Sequence, residues 1–251
     1  MISVIIPTFN QVDLVKQCYH SFIQTVSETP YEIIIVDDGS PSHIQQALKE
    51  WANTASIKCI LKPSNSGFSA TVNAGIREAQ GQYVLLVNND IVFHEQGWLA
   101  PMIHTIQSTP KVGIVGARLL YSNHTIQHGG VYYSGRGNFD HRYRFLPGNH
   151  PPALAVEDAN AVTGALMLIH KELFQHIGMM SEEYYIAYED IDLCYRAKQH
   201  GWRVIYCGTA NAIHLEGQTR GTTPANKNPY WRRKELESKN TFWSKWMGVR
   251  F

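Results

Sequence analysis

The chain has 251 residues, 44% of them hydrophobic, enough for one large domain with a substantial core or for a domain with an appendage. Twenty-two basic residues stand against twenty-one acidic ones for a net charge of +1, which removes the electrostatic basis for non-specific nucleic-acid binding. Four cysteines, Cys18, Cys59, Cys194 and Cys207, form no C-x-x-C pair, so reduced buried thiols of a cytosolic protein are expected rather than a zinc ribbon or disulfide framework.

The opening "MISVIIPTFN" has no basic leader and meets Pro7 after a very short apolar run, so no signal peptide is expected. No apolar run approaches the ~20 residues of a membrane span. The stretch "SVIIP" predicts a buried strand, followed by a helix carrying Leu14, Cys18, Phe22 and Val26. Next come the strand "EIIIVDDGS", a helix from Ser42 to about Asn53, the strand "SIKCIL", a helix over 67–80 and the strand "YVLLVNND". Continuous apolar strands alternating with helices predict a mostly parallel sheet covered on both faces, with Gly81 as a helix stop. "KVGIVGARLL" predicts a further strand, and residues 121–160 read as long loops or a short hairpin. "VTGALMLIH" returns as a strand. A helix over "EDIDLCYRAKQH" follows, closed by Gly201, and then the strand "RVIYC", with His214 in a short loop after it. The tail "NPYWRRKELESKNTFWSKWMGVRF" predicts a helix with an aromatic face.

Ligands of an open parallel sheet bind beyond the carboxyl ends of its strands. "TFN", Asp37-Asp38 and Asn88-Asn89-Asp90 all fall at such ends. Asp38-Gly39-Ser40 also suits a turn, and "NND" a turn or cap. The acids Glu189, Asp190 and Asp192 likewise suit either helix capping or a catalytic base. Neither G-x-x-x-x-G-K-[ST] nor a G-x-G-x-x-G after the first strand is present, so no glycine loop cradles phosphate. A lone carboxylate at a strand end, Asp90, suits Mg or Mn, which would neutralise a diphosphate.

The stretches "SVIIPTFN", "EIIIVDDGS", "NSGFSATVNAGIREAQGQYVLLVNND", "YEDIDLCYRAKQHGW" and "IHLEGQT" occur in the order and spacing of glycosyltransferase family 2. The chain resembles that family from about residue 2 to 217, and within it the rhamnosyltransferase-type and related polysaccharide-assembly members. The resemblance implies the α/β GT-A fold, with a Rossmann-like, mostly parallel central sheet flanked by helices. It divides residues 1–217 into a nucleotide-sugar-binding half (1–116) and an acceptor or catalytic half (117–217), with 218–251 as lid loop and C-terminal helix. It implies transfer of a sugar from a nucleotide diphosphate with inversion. Asp38 then contacts the base, and Pro7 and Thr8 line the same pocket. Asp90 is the last acid of the metal-binding D-x-D motif, His214 completes the divalent metal site (Mn or Mg), and Asp190 is the catalytic base. Asn88 stands where that motif has its first acid, so weaker metal binding is expected.

Other residues carry two readings each. Asn65 and Gly67 admit the nucleotide to the backbone or simply start a helix, with Asn73 as a buried anchor. Asn88 and Asn89 line the nucleotide, or close a turn. Glu189 orients Asp190 or an acceptor hydroxyl, or caps the helix; Asp192 with Arg196 is read as a structural i,i+4 pair. The segment 219–234 is a lid whose Arg232 or Arg233 reaches phosphate, or a solvated basic loop. His124, His128, His141 and His150 have no ligand spacing. Trp231, Phe242, Trp243 and Trp246 rest on a membrane surface or pack on the domain or a second subunit. The expected partners are a nucleotide-sugar donor, with UDP or TDP favoured because Asp38 can pair with an imide N–H, and a glycan, lipid-linked or protein acceptor. Peripheral membrane contact and a homo-oligomer are left open, and the expected location is cytoplasmic, at the inner membrane face if that contact is made. Rival readings are a nucleotidyltransferase, for which "TFNQVD" lacks the glycine- and basic-rich loop, and a non-catalytic nucleotide-sugar-binding module of a glycan-assembly complex.

Overall fold

A computed structural model describes residues 1–26, 29–217 and 228–249; most of the expected lid, 218–227, lies outside the described residues. The first half runs β1 (Ile2–Thr8), α1 (Val12–Thr25), β2 (Tyr31–Asp37), α2 (Ser42–Thr54), β3 (Lys58–Leu61), α3 (Phe68–Glu78), β4 (Tyr83–Val87) and β5 (Ile91–Val92). α4 (Ala100–Ser108), β6 (Val112–Leu120), β7 (Ile126–His128) and the hairpin β8 (Val131–Gly135) and β9 (Asn138–His141) follow. After a 3-10 turn at Pro151–Leu154 come β10 (Val156–Asp158), β11 (Leu166–His170), α5 (Leu173–Ile177), α6 (Glu189–Gln199), β12 (Arg203–His214) and α7 (Pro229–Lys245).

One sheet passes through both halves in the order β10-β12-β6-β11-β4-β1-β2-β3, with β5 beside β12 and β7 beside β6. β1 to β4 pair in parallel, as do β6 and β12, while β11 runs antiparallel between β4 and β6. Strand alternation explains why these segments are apolar throughout. Val4, Ile6, Ile35 and Leu85 enter the core on one face, and Ile5, Ile34, Val36 and Leu86 the core on the other. Each such fully buried side chain contributes about 1.5–3 kcal/mol relative to exposure.

The structure corrects three expectations. β12 runs on past a bulge between Cys207 and Asn211, so His214 ends a strand instead of lying in a loop. α3 stops at Glu78 and Gly81 serves close packing, since a Cβ there would lie 2.7 Å from the Ser3 nitrogen. α4, with buried Met102 and Ile106, has no counterpart in the sequence reading.

α7 packs its aromatic face onto the domain. Phe242 and Trp246 are buried, Trp243 stacks on Phe139, and the Trp243 indole N–H donates to the Gly137 carbonyl at 2.9 Å. Among the described residues no helix is long and apolar enough to cross a membrane. The anchor of α7 is Asp192 on α6, which is fully buried. Its Oδ1 accepts from Tyr184 Oη (3.1 Å), Trp246 Nε1 (3.0 Å) and Lys245 Nζ (3.0 Å), and its Oδ2 from Arg196 Nε (2.7 Å). Asp192 with Arg196 is therefore more than the i,i+4 pair read from spacing. It is a buried junction of two helices.

Burial alone would raise the Asp192 carboxyl, but Arg196, Lys245 and the Trp246 N–H outweigh it and hold it below its ordinary value. A depressed carboxylate stabilises the fold above the unfolded-state value near ~4 and loses that contribution as pH falls through the lower, folded-state value. Asp192→Asn is expected to cost about 3–5 kcal/mol at pH 7, because it removes the buried charge that partners the half-buried Arg196 guanidinium and the more exposed Lys245. Urea unfolding at pH 7 and pH 3 checks this: the gap between variant and wild type narrows on acidification.

Candidate active site

At the carboxyl ends of the parallel strands lies a cavity of about 380 Å³. Pro7, Thr8, Asp38, Asn65, Gly67, Asn88, Asn89, Asp90, Glu189, Asp190 and His214 all line it. The sheet brings these residues together because β1, β2, β4 and β12 end on the same edge.

The two acids after β2 divide their work. Asp37 is buried and closes the turn, taking Ser40 N (2.9 Å), the Ser40 hydroxyl and Gln45 Nε2 (2.8 Å). Asp38 faces the cavity. Its Oδ1 accepts from Lys62 Nζ at 2.7 Å and Ser66 N at 2.9 Å, and its Oδ2 from Gly67 N at 3.0 Å. Turn and site are thus both present in "DDGS", one on each aspartate. Asp38 also ties the start of α3 to the end of β2. Gly67 has φ +92°, where a Cβ would lie 2.6 Å from the Tyr185 carbonyl oxygen.

After β4, Asn89 Nδ2 donates to Thr8 Oγ1 at 3.0 Å, and Asn88 Oδ1 is buried with no hydrogen-bond partner among the described residues. Asp90 Oδ1 lies 3.1 Å from His214 Nε2. The other ring nitrogen of His214, Nδ1, is 2.7 Å from Gln127 Oε1, which can only accept. Nδ1 therefore carries a proton, and Nε2 faces Asp90 Oδ1. A histidine oriented through one ring nitrogen, with the other beside a carboxylate, is the donor arrangement a divalent cation takes. No group of three or more His, Cys, Asp or Glu side chains forms a metal cage among the described residues. Two protein ligands suffice where substrate phosphates complete the coordination.

Asp190, on the first turn of α6, is aimed by backbone N–H groups on both oxygens: Gly164 N to Oδ2 at 2.9 Å and Ile191 N to Oδ1 at 2.8 Å. The chain enters α6 through Ala187 (φ 66°) and Tyr188 (φ 70°), both left-handed. Two consecutive strained non-glycine residues cost about 1–3 kcal/mol each, and such strain gathers at sites of function. Glu189 is buried beside the base and lines the same cavity.

Several lining residues had no signal in the sequence. Gln127 orients His214 from β7, inside the stretch read as loops. Tyr185 hydrogen-bonds Asn65 Oδ1 and receives Tyr230 Oη at 3.2 Å, and Trp231 reaches the cavity from α7. Arg232 and Arg233, the expected phosphate contacts, are exposed on α7, and Arg233 pairs with Glu237 at 3.6 Å. Asn73 is the buried anchor expected of it, bonded to Met180 N, Met180 O and Glu182. His141 lines the cavity; burial pulls its ring below the ordinary value against the Gln127 carbonyl contact, so it is neutral at pH 7. His128 is fully buried and held well below its ordinary value by burial, with its ring against His141.

The model for glycosyl transferase family 2 matches residues 3–177, well over half of the chain. The chain belongs to glycosyl transferase family 2. This family 2 chain is 29% identical, over 97% of its length, to the "Uncharacterized protein y4gI" of Sinorhizobium fredii, of which the match covers 27%. It is 27% identical, over 92% of its length, to the "O-antigen biosynthesis protein RfbC" of Myxococcus xanthus, with 18% of that protein covered. It is thus similar to about a quarter or less of each of these two longer proteins. The "Low-salt glycan biosynthesis hexosyltransferase Agl10" of Haloferax volcanii is 27% identical over 87% of the chain and 69% of its own length. Among solved structures, the mannosyltransferase PcManGT from Pyrobaculum calidifontis, in complex with GDP-Man and Mn2+, superposes over 100% of this chain and 65% of its own. The TM-score is 0.71 at 16% identity. GalNAc-T7 with UDP, GalNAc and Mn2+ superposes over 86% of this chain and 44% of its own, with TM-score 0.70 at 19% identity. The fold is GT-A.

Gly67→Ala should be among the costlier single substitutions in this domain. The left-handed φ and the 2.6 Å approach to Tyr185 leave no room for a methyl group. A loss of about 1–3 kcal/mol is expected in equilibrium unfolding, whereas Gly178→Ala, where nothing lies within 4 Å, separates the φ penalty from the clash.

Proposed function

We propose that this domain is an inverting glycosyltransferase that moves a hexose or deoxyhexose from a UDP- or TDP-sugar to an acceptor hydroxyl. The observation that carries the reading is the convergence, in one cavity, of Asp38, the Asp90–His214 pair and the backbone-aimed Asp190. Residues 1–116 supply the donor side and 117–217 the base, with Trp231 of α7 bordering the site. The names of the relatives from Myxococcus and Haloferax, an O-antigen biosynthesis protein and a glycan hexosyltransferase, favour a role in polysaccharide or glycoconjugate assembly. The rhamnosyltransferase-type motifs of the sequence favour the same. The acceptor is then a glycan, free or carried on lipid or protein.

Inverting transfer requires one base, on the face of the sugar opposite the leaving diphosphate. Asp190 Oδ takes the proton of the acceptor hydroxyl as its oxygen bonds to the anomeric carbon, and the bond from that carbon to the diphosphate oxygen breaks. Gly164 N and Ile191 N fix the carboxylate so that no reorientation is needed during the step. Glu189 stands beside it and orients the acceptor. Asp38 receives the imide N–H of the base, and Pro7 and Thr8 border that pocket, with Asn65, Asn88 and Asn89 along the ribose and phosphates. Asp90 and His214 would hold a divalent cation, which when bound supplies positive charge to the leaving diphosphate. Asn88 brings an uncharged amide oxygen to that set, which favours weaker cation binding than a second carboxylate would.

The first test is thermal unfolding with UDP, TDP and GDP, with and without Mn. A nucleotide at ~100 times its dissociation constant adds about 2.7 kcal/mol, roughly 5–11 °C for a domain of this size. A rise requiring Mn with UDP or TDP supports the reading, and no rise with any nucleotide defeats the donor site. Asp190→Asn should keep the full rise yet lose about 10²–10⁴-fold in transfer rate. Gln127→Leu frees the His214 ring, and the Mn concentration needed for half the rise should increase about 10–100-fold.

A further inference from the structure

Gln127 holds the His214 ring, and Gln127 is itself held by a residue just past the end of β12. Gln127, on β7, is 2% exposed. Its Nε2 lies 3.1 Å from Glu216 Oε2 and 3.4 Å from the His214 carbonyl oxygen. A carboxylate and a carbonyl only accept, so the NH2 end of the amide faces them. The oxygen end, Oε1, is then left against His214 Nδ1 at 2.7 Å. The main chain of Gln127 is engaged as well, its carbonyl receiving His141 Nδ1 at 3.1 Å.

The direction of this amide decides where the His214 ring keeps its hydrogen. A ring nitrogen facing an amide oxygen carries hydrogen, and in the neutral ring the other nitrogen is then bare. That other nitrogen, Nε2, lies 3.1 Å from Asp90 Oδ1. Metal ligation needs a neutral imidazole with a bare nitrogen toward the cation. With the amide reversed, its NH2 would face Nδ1, and the neutral ring would carry its hydrogen on Nε2. The site would then be closed to a cation. Glu216 opposes the reversal, because a reversed amide would set its oxygen against a carboxylate. The His214 carbonyl opposes it from the longer distance. Glu216 is placed there by the main chain, since the Leu215 N–H donates to the Asp90 carbonyl at 2.9 Å. Arg144 holds it from the other side, with Nη2 3.8 Å from Oε2. Arg144 is fixed in turn by Tyr121 Oη at 2.8 Å and Asp140 Oδ1 at 3.6 Å.

We infer that Glu216 is a positioning residue of the cation site: acting through Gln127, it fixes the His214 hydrogen on Nδ1 and keeps Nε2 open to a divalent cation. This rests on the reading of Asp90 and His214 as the cation's ligands and goes one step further from the metal. Glu216 also borders the cavity, where as a third ligand it would act through its charge. As a positioning residue it acts through its capacity to accept. Glu216→Gln separates the two roles, because it removes the charge and keeps an acceptor.

The test reads the His214 ring by proton–nitrogen NMR correlations on the full chain, without metal, at about pH 9, above the ordinary histidine range. The ring signals are assigned by their loss in His214→Gln. Wild type and Glu216→Gln should both carry the hydrogen on Nδ1. Glu216→Leu should carry it partly or wholly on Nε2. The Mn concentration giving half the thermal rise with UDP or TDP should increase about tenfold in Glu216→Leu and stay within about twofold of wild type in Glu216→Gln. The Glu216 side chain is 32% exposed, which favours folding of these variants. Should Glu216→Leu fail to fold, Glu216→Lys decides, since an ammonium draws the amide oxygen toward itself and the ring is read before any metal is added. Hydrogen on Nδ1 in every variant, or the same increase in Mn requirement for Glu216→Gln as for Glu216→Leu, would each overturn the inference. A wild-type rise that needs no Mn, or no rise at all, defeats the underlying reading instead and is seen before any variant is made.

Discussion

The site depends on β11 running antiparallel between β4 and β6. The strands that end at Asp38 and Asp90 belong to one parallel group, and those leading to His214 to another. β11 is what hydrogen-bonds the two groups into one sheet, through Met167 opposite Leu86 on one side and Gly116 on the other. A register slip of one residue would send Met167 and Leu168 to the wrong cores, so the alignment of the halves is fixed by burial. Because β11 is antiparallel, its leading end lies at the same edge as the trailing ends of its neighbours. Gly164, just before β11, therefore meets Asp190 there.

A chain poor in charge places its acids by neighbour rather than by number. Asp37 and Asp38 are adjacent, yet strand alternation sends one into a turn and the other to the cavity. Along α6 a similar separation follows from helical period. Asp190 turns to the cavity, while Asp192, two residues on and about 200° around the helix, turns to α7. The base and the junction holding α7 thus share one short helix. Trp231 at the start of α7 lines the cavity and Trp246 at its end meets Asp192, so α7 spans from catalytic edge to structural anchor.

Much of this was legible beforehand. The apolar runs of β1, β2 and β4 are continuous because both faces are covered, and such runs leave little choice of structure. Pro7, Thr8, Asp38, Asn88, Asn89, Asp90 and His214 border the cavity because they sit at or just past strand ends and the parallel strands share one such edge. Gln127 was not legible: it lies in a stretch without periodicity, and its role comes from pairing of β7 with β6. His214 was legible as a residue but not as the end of a strand, since the bulge before Asn211 interrupts the alternation that marks one. Arg232 and Arg233 are exposed on α7, a face that their basic character alone did not assign.

The sequence by itself determined β1 to β4 with the helices between them, the edge at which ligands would gather and the family, because these rest on local periodicity and short-range motifs. Tertiary structure alone decided that Gln127 holds the His214 ring against Asp90, that Asp37 closes the turn beneath Asp38, and that Asp192 is buried under α7. Each of these is a contact between residues distant in the chain or a choice of side-chain direction, and neither leaves a trace in composition or spacing.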